Sequence, residues 1–221
     1  MRIRFKPWAR PELEASYFYE DNPENYIGKW KGKFKNPKQP LHIELGCGKG
    51  SFISELAFRN QDINYIAIDL VDAMLGLAKR KVEEKYNEAS IKVENLILVR
   101  YDIERINNII NKEDDIQRIY INFCNPWPKP KHKKKRLTHS RQLEHYKEFL
   151  NAGNEIYFKT DDDGLFADSL KYFEESGFEI LNKTYDLHAE DIFDGKNIVT
   201  EHEKMFSDEE IRIKALIAKL K

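Results

Sequence analysis

The sequence predicts an α/β domain built on a doubly wound, mostly parallel sheet. A short apolar strand at 41–45 is followed at once by a glycine-rich turn and then by a helical pattern. Strand and helix patterns go on alternating as far as residue 177, which is typical of a parallel sheet covered by helices. Acids or amides follow several of the strands, where sheets of this kind bind ligands, so we expect a binding crevice at that edge.

Composition limits the class of protein. The chain has 221 residues, 41% of them hydrophobic, which is enough for a domain with a sizeable core. Its formal net charge is -1, so a polyanionic partner would have to be bound by a local basic patch. Cys47 and Cys124 lack metal-ligand spacing, which favours reduced thiols in the cytoplasm and no metal. No apolar stretch is long enough to span a membrane, and the sequence leaves open a monomer or a homodimer.

The first 38 residues show little periodicity and contain four prolines together with several basic residues. We therefore predict an extended, partly mobile N-terminal arm at 1–38 and a folded domain at 39–221. The basic residues of the arm would either contact RNA or serve solubility alone.

The first strand of the domain leads into the turn Gly46–Gly50. Gly46 and Gly48 let the backbone come close to a ligand because neither residue carries a Cβ atom. The dinucleotide fingerprint GxGxxG would need a glycine at Ser51, and the turn lacks the GK[ST] ending of a P-loop. The sequence therefore disfavours both NAD and ATP bound in P-loop fashion.

Two acids sharpen the ligand prediction. Glu44 lies inside the apolar first strand, where a carboxylate costs desolvation energy unless it has a cationic or hydrogen-bonding partner. An amino-acid ammonium group would serve, and an internal salt bridge or an exposed strand face is the structural alternative. Asp69 ends the second strand, at 63–70, where an acid accepts hydrogen bonds from ribose hydroxyls. Adenosine together with an ammonium group points to S-adenosylmethionine as the cofactor.

The rest of the chain continues the alternation. A third strand at 96–101 ends at Asp102, and a later strand at 155–159 is followed by Asp161, so both acids join the expected crevice. Helices are predicted at 72–86, 104–110, 140–150 and 162–176, and two further strands at 179–187 and 200–206.

The stretch 118–137 combines a strand with a strongly basic sequel. It begins with alternating apolar residues, and the strand is expected to end at Asn125. Three prolines then stiffen the turn around Trp127, and six cations occupy the eight positions 129–136. A solvated charged face without a binding role is the alternative, but a basic run attached to a rigid aromatic turn favours contact with nucleic-acid phosphates. The candidate substrate contacts here are Lys129, His132 and Arg136.

Five motifs together resemble one enzyme family. They are HIELGCGKGSF at 42–52, IAIDL at 66–70, NFCNPWPKPKHKKKRL at 122–137, FKTD at 158–161 and TEHE at 200–203. Over nearly its whole length the chain is similar to the bacterial tRNA (guanine-N7)-methyltransferases, and PWPK with its basic sequel is the most specific motif. The resemblance implies a Rossmann-like, seven-stranded class I methyltransferase domain, S-adenosylmethionine as methyl donor, and tRNA methylated at guanine 46 of the variable loop.

The resemblance also implies roles for individual positions. The implied cofactor contacts are Glu44, Asp69, Asp102 and Asn125, to which the glycine turn adds Gly46 and Gly48. The implied tRNA contacts are Lys129, Asp161 and the segment Thr200–Glu203.

Two positions depart from the family pattern. The family has aspartate before PWPK where this chain has Asn125, and it usually has glutamate where this chain has Asp69. Guanine N7 carries a free lone pair at neutral pH, so methyl transfer needs positioning rather than a general base. Methylation makes the purine cationic, and because Asn125 is neutral, Asp161 is the candidate for stabilising that charge. The candidate catalytic residues are therefore Asn125 and Asp161.

Two other functions stay open from the sequence. Asn125, Pro126 and Trp127 resemble the NPP[FYW] motif of exocyclic-amino methyltransferases, which act on adenine N6 or cytosine N4, although the second proline is missing. The lost family aspartate would also fit a catalytically silent tRNA-binding protein. The intact cofactor turn argues against that function, because a pure binder has no need of it.

Overall fold

The computed structural model describes residues 4–221, except the side chains of residues 207 and 208. Within this range the chain forms two compact units, one ending at Asp114 and the other beginning at Asp115. Both units consist of strands and helices in alternation, and the described residues contain eight strands, one more than predicted.

The first unit carries four strands and three α-helices. In chain order they are α1 (Ala9–Glu14), β1 (Tyr19–Glu20), β2 (Leu41–Leu45), α2 (Ser51–Arg59), β3 (Asn64–Asp69), α3 (Asp72–Glu88) and β4 (Leu96–Arg100), with 3₁₀ turns at Pro23–Tyr26, Trp30–Lys33, Ile103–Asn108 and Lys112–Asp114. The strands lie in the order β1-β4-β3-β2, and all neighbouring pairs are parallel. All five residues of β2 are buried, His42 and Glu44 included, as expected for a parallel sheet covered on both faces.

The N-terminal arm contains a helix, a short strand and two 3₁₀ turns between residues 9 and 33, which corrects the prediction of an extended segment. Ala9 and Leu13, four residues apart on one face of α1, are fully buried. Gly76 of α3 permits this close approach, because a Cβ atom there would lie 2.8 Å from the Cβ of Ala9. The sequence does not reveal the helix because six residues are too few for a clear period. The domain boundary at 38/39 stays a prediction.

The second unit also carries four strands and three α-helices. They are β5 (Ile116–Asn122), α4 (Ser140–Lys147), β6 (Leu150–Thr160), α5 (Asp163–Glu175), β7 (Phe178–Thr184), α6 (Glu201–Asp208) and β8 (Lys214–Leu220), with a 3₁₀ helix at Pro130–Lys135. The strands lie in the order β5-β6-β8-β7. β5 is parallel to β6, whereas β8 is antiparallel to both of its neighbours.

The predicted strand at 200–206 is wrong, because this segment forms most of α6. The backbone N–H of Glu203 donates to Thr200 Oγ1 at 3.0 Å, and the N–H of Thr200 points back to Glu203 Oε2 at 3.5 Å. This reciprocal pair is a capping box, which fixes the start of a helix and has the sequence signature T-x-x-E. The last strand is β8 instead, and β1 is the additional strand.

Other boundaries move by a few residues. β5 ends at Asn122, three residues before the expected end at Asn125, because Phe123 leaves the extended conformation with a φ of +50°. α4 stops at Lys147, and β6 begins earlier than predicted, at Leu150. The strand at 41–45 has the bounds that the sequence predicts.

Candidate active site

The glycine turn of the first unit is tied to the end of the neighbouring strand. The backbone N–H groups of Gly46 and Cys47 both donate to the carbonyl of Ile68, at 2.9 and 3.1 Å. Gly48 has a φ of +54°, and a Cβ atom placed there would meet no described atom within 4 Å. The backbone at Gly48 therefore borders open space, as a turn that approaches a ligand must.

Asp69 links this turn to the end of β3. Its Oδ2 accepts a hydrogen bond from the N–H of Gly48, and its Oδ1 accepts one from the N–H of Val71, both at 2.9 Å. Burial raises the pKa of Asp69, and these backbone hydrogen bonds oppose the rise. Each carboxylate oxygen can accept a further hydrogen bond, so the group remains able to bind hydroxyls.

The other predicted cofactor acids lie on adjacent strands of the same unit. Glu44 is 2% exposed within β2, next to β3 in parallel register. Asp102 follows β4 and is partly exposed, and its Oδ1 accepts from the N–H of Glu104 at 3.0 Å. Burial, with the carboxylates of Asp69 and Glu44, raises the pKa of the Cys47 thiol well above its usual value, so Cys47 is no thiolate nucleophile.

These residues fit S-adenosylmethionine. Carboxylates stand at the carboxyl ends of three neighbouring parallel strands, and an open glycine backbone lies beside one of them. Carboxylates are acceptors for ribose hydroxyls and for an amino-acid ammonium group. The fold of the first unit therefore brings these acids to three neighbouring strands, and their contacts with the cofactor stay predictions.

In the second unit, a strained turn follows β5. Phe123 and Trp127 both have positive φ values, +50° and +40°, which cost aromatic residues about 1–3 kcal/mol each. The N–H of Trp127 donates to Asn125 Oδ1 at 3.1 Å and closes an Asx turn. Asn125 is exposed, as a residue that contacts a substrate must be. Burial raises the pKa of the neighbouring Cys124 thiol to about 12, which excludes it as a nucleophile at neutral pH.

Arg136 holds this turn from the inside. It is 3% exposed, and its Nε donates to the carbonyl of Pro126 at 2.6 Å. Its guanidinium also donates to Asp168 Oδ2 of α5 at 2.6 Å, and Lys133 Nζ reaches the same oxygen at 2.6 Å. Lys133 and Arg136 lower the pKa of Asp168. Two of the six cations in the basic run are therefore engaged within the protein.

The remaining cations of the run face solvent. Lys135 Nζ lies 5.3 Å from the centre of the Trp127 ring, and the His132 ring lies 5.7 Å from it. Both contacts flank the indole with groups that attract phosphates. The exposed lysines of the run are Lys129, Lys131, Lys134 and Lys135.

Asp161 follows β6 and is partly exposed, whereas Lys159, two residues earlier, is buried. Lys159 Nζ lies 2.8 Å from Glu203 Oε2, 3.0 Å from Asn197 Oδ1 and 3.0 Å from the carbonyl of Ile198. The backbone carbonyl of Asp161 accepts from Lys214 Nζ at 2.9 Å. The FKTD motif thus contributes one internal cation and one accessible carboxylate.

The TEHE motif is turned largely inward. Glu203 is fully buried, and Asn197 Nδ2 donates to its second oxygen at 2.7 Å. Thr200 is 6% exposed because it caps α6. The ring of His202, by contrast, is exposed and stacks on Phe123 with ring centres 6.0 Å apart. The tRNA contacts implied for Thr200 and Glu203 stay predictions, and the structure gives both side chains an internal partner.

Sequence reasoning missed the partners that hold these segments. A lysine inside an apolar strand, as at Lys159, carries the same signal as Glu44 and could have been singled out on the same ground. The role of Arg136 has no comparable signal, because it stands among similar residues. Among residues 4–221 no group of three or more His, Cys, Asp or Glu side chains could hold a metal ion. Nor does any helix in that range combine the length and apolarity needed to cross a bilayer.

Solved structures of low sequence identity share this fold. An antibiotic-related methyltransferase superposes with a TM-score of 0.57 at 15% identity, covering 99% of this chain and 95% of its own. A 16S rRNA methyltransferase gives 0.57 at 11% identity with the same coverage of both chains. The chain therefore has the class I methyltransferase fold that the sequence predicts, with eight strands rather than seven.

Sequence relatives extend the likeness to the whole chain. A family described as putative methyltransferase matches residues 38–216. The tRNA (guanine-N(7)-)-methyltransferase of Ruminiclostridium cellulolyticum is 58% identical, covering 100% of this chain and 93% of its own. The enzyme of the same name from Clostridium beijerinckii is 59% identical, covering 99% and 98%. This protein belongs to the tRNA (guanine-N(7)-)-methyltransferase family.

Proposed function

We propose that this protein methylates N7 of a guanine in tRNA, at position 46 of the variable loop, with S-adenosylmethionine as the methyl donor. The observation that carries the proposal is identity of 58% and 59% over essentially the whole chain to two enzymes of that name. The geometry of each unit supports it separately, the first through the cofactor residues and the second through the residues offered to RNA.

The first unit supplies the groups that would hold the cofactor. When bound, S-adenosylmethionine supplies an electrophilic methyl group on a sulfonium, which the N7 lone pair can attack directly. Glu44 would pair with the ammonium group, and the Asp69 carboxylate would accept from the ribose hydroxyls. Asp102 would contact the nucleoside from the next strand, and the backbone at Gly48 leaves space for it.

The second unit supplies the groups that would orient the base. N7 of guanine needs no general base, so binding in a reactive geometry provides much of the acceleration. The accessible carboxylate of Asp161 would stabilise the positive charge that develops on the purine, and it would accept from the donors of the Watson–Crick edge. The exposed side chain of Asn125 would touch the base or the cofactor.

The basic run supplies the groups that would bind the tRNA backbone. Lys129, with its exposed lysine neighbours, would neutralise phosphates, and His132 beside Trp127 would add a contact. Arg136 acts indirectly, because its guanidinium is buried on Pro126 and Asp168. We therefore change its predicted role from substrate contact to positioning residue.

The missing second proline speaks against the exocyclic-amino alternative, because Trp127 stands in its place. Enzymes with the NPP[FYW] motif use carbonyl oxygens to accept from the substrate amino group. Here the side-chain carbonyl of Asn125 accepts from the N–H of Trp127 and keeps a second lone pair. The motif-like tripeptide is thus used to close a turn.

The decisive experiment identifies the product. The protein is incubated with labelled S-adenosylmethionine and unmodified tRNA, the RNA is digested, and the labelled nucleoside is separated. We expect 7-methylguanosine, and its loss when guanine 46 is replaced. N6-methyladenosine would establish the exocyclic-amino activity instead, and cofactor and tRNA binding without any product would establish a silent tRNA-binding protein.

We also propose that the protein works in the cytoplasm, where its tRNA substrate is found. A monomer and a homodimer fit equally well, and sedimentation equilibrium of the full chain distinguishes them. Fractionation of cells that carry the natural protein tests the location.

A further inference from the structure

The side-chain amide of Asn125 has two different ends, and the turn uses only one. The N–H of Trp127 lies 3.1 Å from Oδ1 of Asn125. A backbone N–H can only donate, so the atom it meets must be the carbonyl oxygen, and this contact fixes which end of the amide is which. The NH₂ group is consequently directed away from the turn, on a residue that is exposed.

The turn that sets this orientation is restrained. Pro126 and Pro128 restrict the backbone on both sides of Trp127. Arg136 donates to the carbonyl of Pro126 at 2.6 Å, and its guanidinium is itself fixed by Asp168 at 2.6 Å. The NH₂ group of Asn125 is therefore presented in one direction before any substrate arrives, which is what a selective contact requires.

Guanine offers this donor one useful partner. The edge of guanine that carries N7 has two acceptors, N7 and O6, and no donor. The lone pair of N7 must stay available for the methyl group, so a hydrogen bond to N7 would oppose the reaction. O6 stands beside N7 on the same edge and can accept from this donor while the N7 lone pair stays free for the methyl group.

We propose that Nδ2 of Asn125 donates a hydrogen bond to O6 of the target guanine and so selects guanine over adenine, which carries an amino group at that position. The proposal rests on the proposed function, because it needs N7 of guanine as the acceptor of the methyl group. It assigns to Asn125 a contact of opposite polarity to the one that the family aspartate would make.

Asn125→Asp is the matched variant for testing this contact. A carboxylate keeps one oxygen for the N–H of Trp127, so the turn is preserved, and replaces the NH₂ donor with an acceptor. Asn125→Ala removes both ends and serves as the second variant. We expect Asn125→Asp to unfold at the parental urea concentration, because the hydrogen bond that shapes the turn is retained.

The experiment compares tRNAs that carry guanosine, 6-thioguanosine or inosine at the target position. Sulfur is a weak acceptor, whereas inosine keeps O6 and lacks only the 2-amino group. For each protein we divide kcat/KM on guanosine tRNA by kcat/KM on 6-thioguanosine tRNA. We expect this ratio to be about 3- to 10-fold larger for the natural protein than for either variant, which is the effect of one hydrogen bond. The preference for guanosine over inosine should be the same in all three proteins, which serves as the control.

Each other outcome has a clear meaning. Equal preferences for guanosine over 6-thioguanosine in all three proteins would exclude the O6 contact while leaving 7-methylguanosine formation intact. Weaker S-adenosylmethionine binding by Asn125→Ala in calorimetry, with an unchanged nucleoside preference, would assign Asn125 to the cofactor and overturn the proposal. If the natural protein forms no 7-methylguanosine on guanosine tRNA, the proposed function fails first and this inference fails with it.

Discussion

The sequence predicts tRNA contacts in two segments of the second unit, and one segment is largely exposed whereas both ends of the other are buried. In the run 129–136 four lysines are exposed, whereas Lys133 and Arg136 pair with the carboxylate of Asp168. The segment 200–203 instead buries Glu203 against Lys159 and uses Thr200 to start a helix. The comparison shows that residues of a family motif can lie in the protein interior, with internal partners, as well as on the surface.

The ion pairs of these two segments also differ in their surroundings. Lys159 and Glu203 are 2% and 0% exposed, and Asn197 and Ile198 supply the extra hydrogen bonds that a buried pair needs to offset desolvation. Asp168 keeps 26% of its side chain exposed, so water screens its pairs with Lys133 and Arg136. Changes in the first pair should therefore have the larger effect on stability.

The largest effect is expected for Glu203→Gln. The substitution leaves the Lys159 ammonium buried beside an uncharged side chain, so we expect the free energy of unfolding to fall by about 3–5 kcal/mol. Urea unfolding measures it. Lys159→Met should cost a similar amount, and the Lys159→Met/Glu203→Leu double variant should cost clearly less than the sum of the two single changes.

The same variant separates the two roles considered for Glu203. A Glu203→Gln protein with parental stability and strongly weakened tRNA binding would contradict the internal role and support the contact that the family resemblance implies. Exposed Glu209, which follows α6, offers a control: Glu209→Gln should leave the free energy of unfolding nearly unchanged.

The second prediction concerns Asp161, the accessible carboxylate that follows the buried Lys159. If it stabilises the cationic purine, Asp161→Asn should lower the single-turnover rate by about 10²- to 10³-fold at saturating tRNA. Asn125→Ala should cost less, because it removes a neutral hydrogen bond. A near-parental rate for Asp161→Asn together with an inactive Asn125→Ala would show that Asn125 carries the site and that Asp161 at most binds.

Local patterns account for much of the first unit and less of the second. The strand at 41–45, the glycine turn and Asp69 follow from short-range signals, namely alternation, turn chemistry and an acid at a strand end. The buried place of Arg136 depends on Asp168, which lies 32 residues later in the sequence and belongs to another element. No short-range pattern links the two, and only packing in three dimensions distinguishes this cation from its neighbours.

The wrong prediction at α6 has a different cause. The T-x-x-E signature of α6 is visible in the sequence, and it predicts the start of a helix rather than a strand at 200–206. The short α1 was hidden because six residues give almost no period. One error was therefore avoidable from the sequence, and the other was not.

The third prediction tests the positioning role of Arg136. Arg136→Met removes the guanidinium that holds the carbonyl of Pro126, so we expect a loss of about 1–3 kcal/mol in stability and weaker methylation of tRNA. Lys134→Met changes the same charge at an exposed position of the same run and should leave stability nearly unchanged. Equal stabilities of the two variants would contradict the positioning role and support a contact between Arg136 and a tRNA phosphate.

The fourth prediction uses pH to examine the same anchor. Lys133 and Arg136 lower the pKa of Asp168 in the folded protein below its value in the unfolded chain. The ion pairs of Asp168 therefore stabilise the fold fully at a pH above the unfolded pKa, and this stabilisation is lost as the pH falls through the folded pKa. Asp168→Asn should therefore cost about 1 kcal/mol near neutral pH, a difference that shrinks below about pH 4. Unfolding curves at several pH values measure it, and a difference that grew on acidification would contradict the pairing.

The smallest effect is expected on the solvent-facing side of the comparison, at Lys131 and Lys134. If both neutralise phosphates, replacing them with alanine should reduce the slope of log affinity against log salt by about one unit per lost contact, without altering stability. The control removes two exposed lysines from other elements of the unit, Lys171 and Lys183, and should leave the slope unchanged. Equal slopes in the two double variants would mean that the exposed part of the run is a solvated face. A lower slope only in the variant that lacks Lys131 and Lys134 would mean that the exposed lysines of the run bind RNA, whereas Lys133 and Arg136 hold the turn.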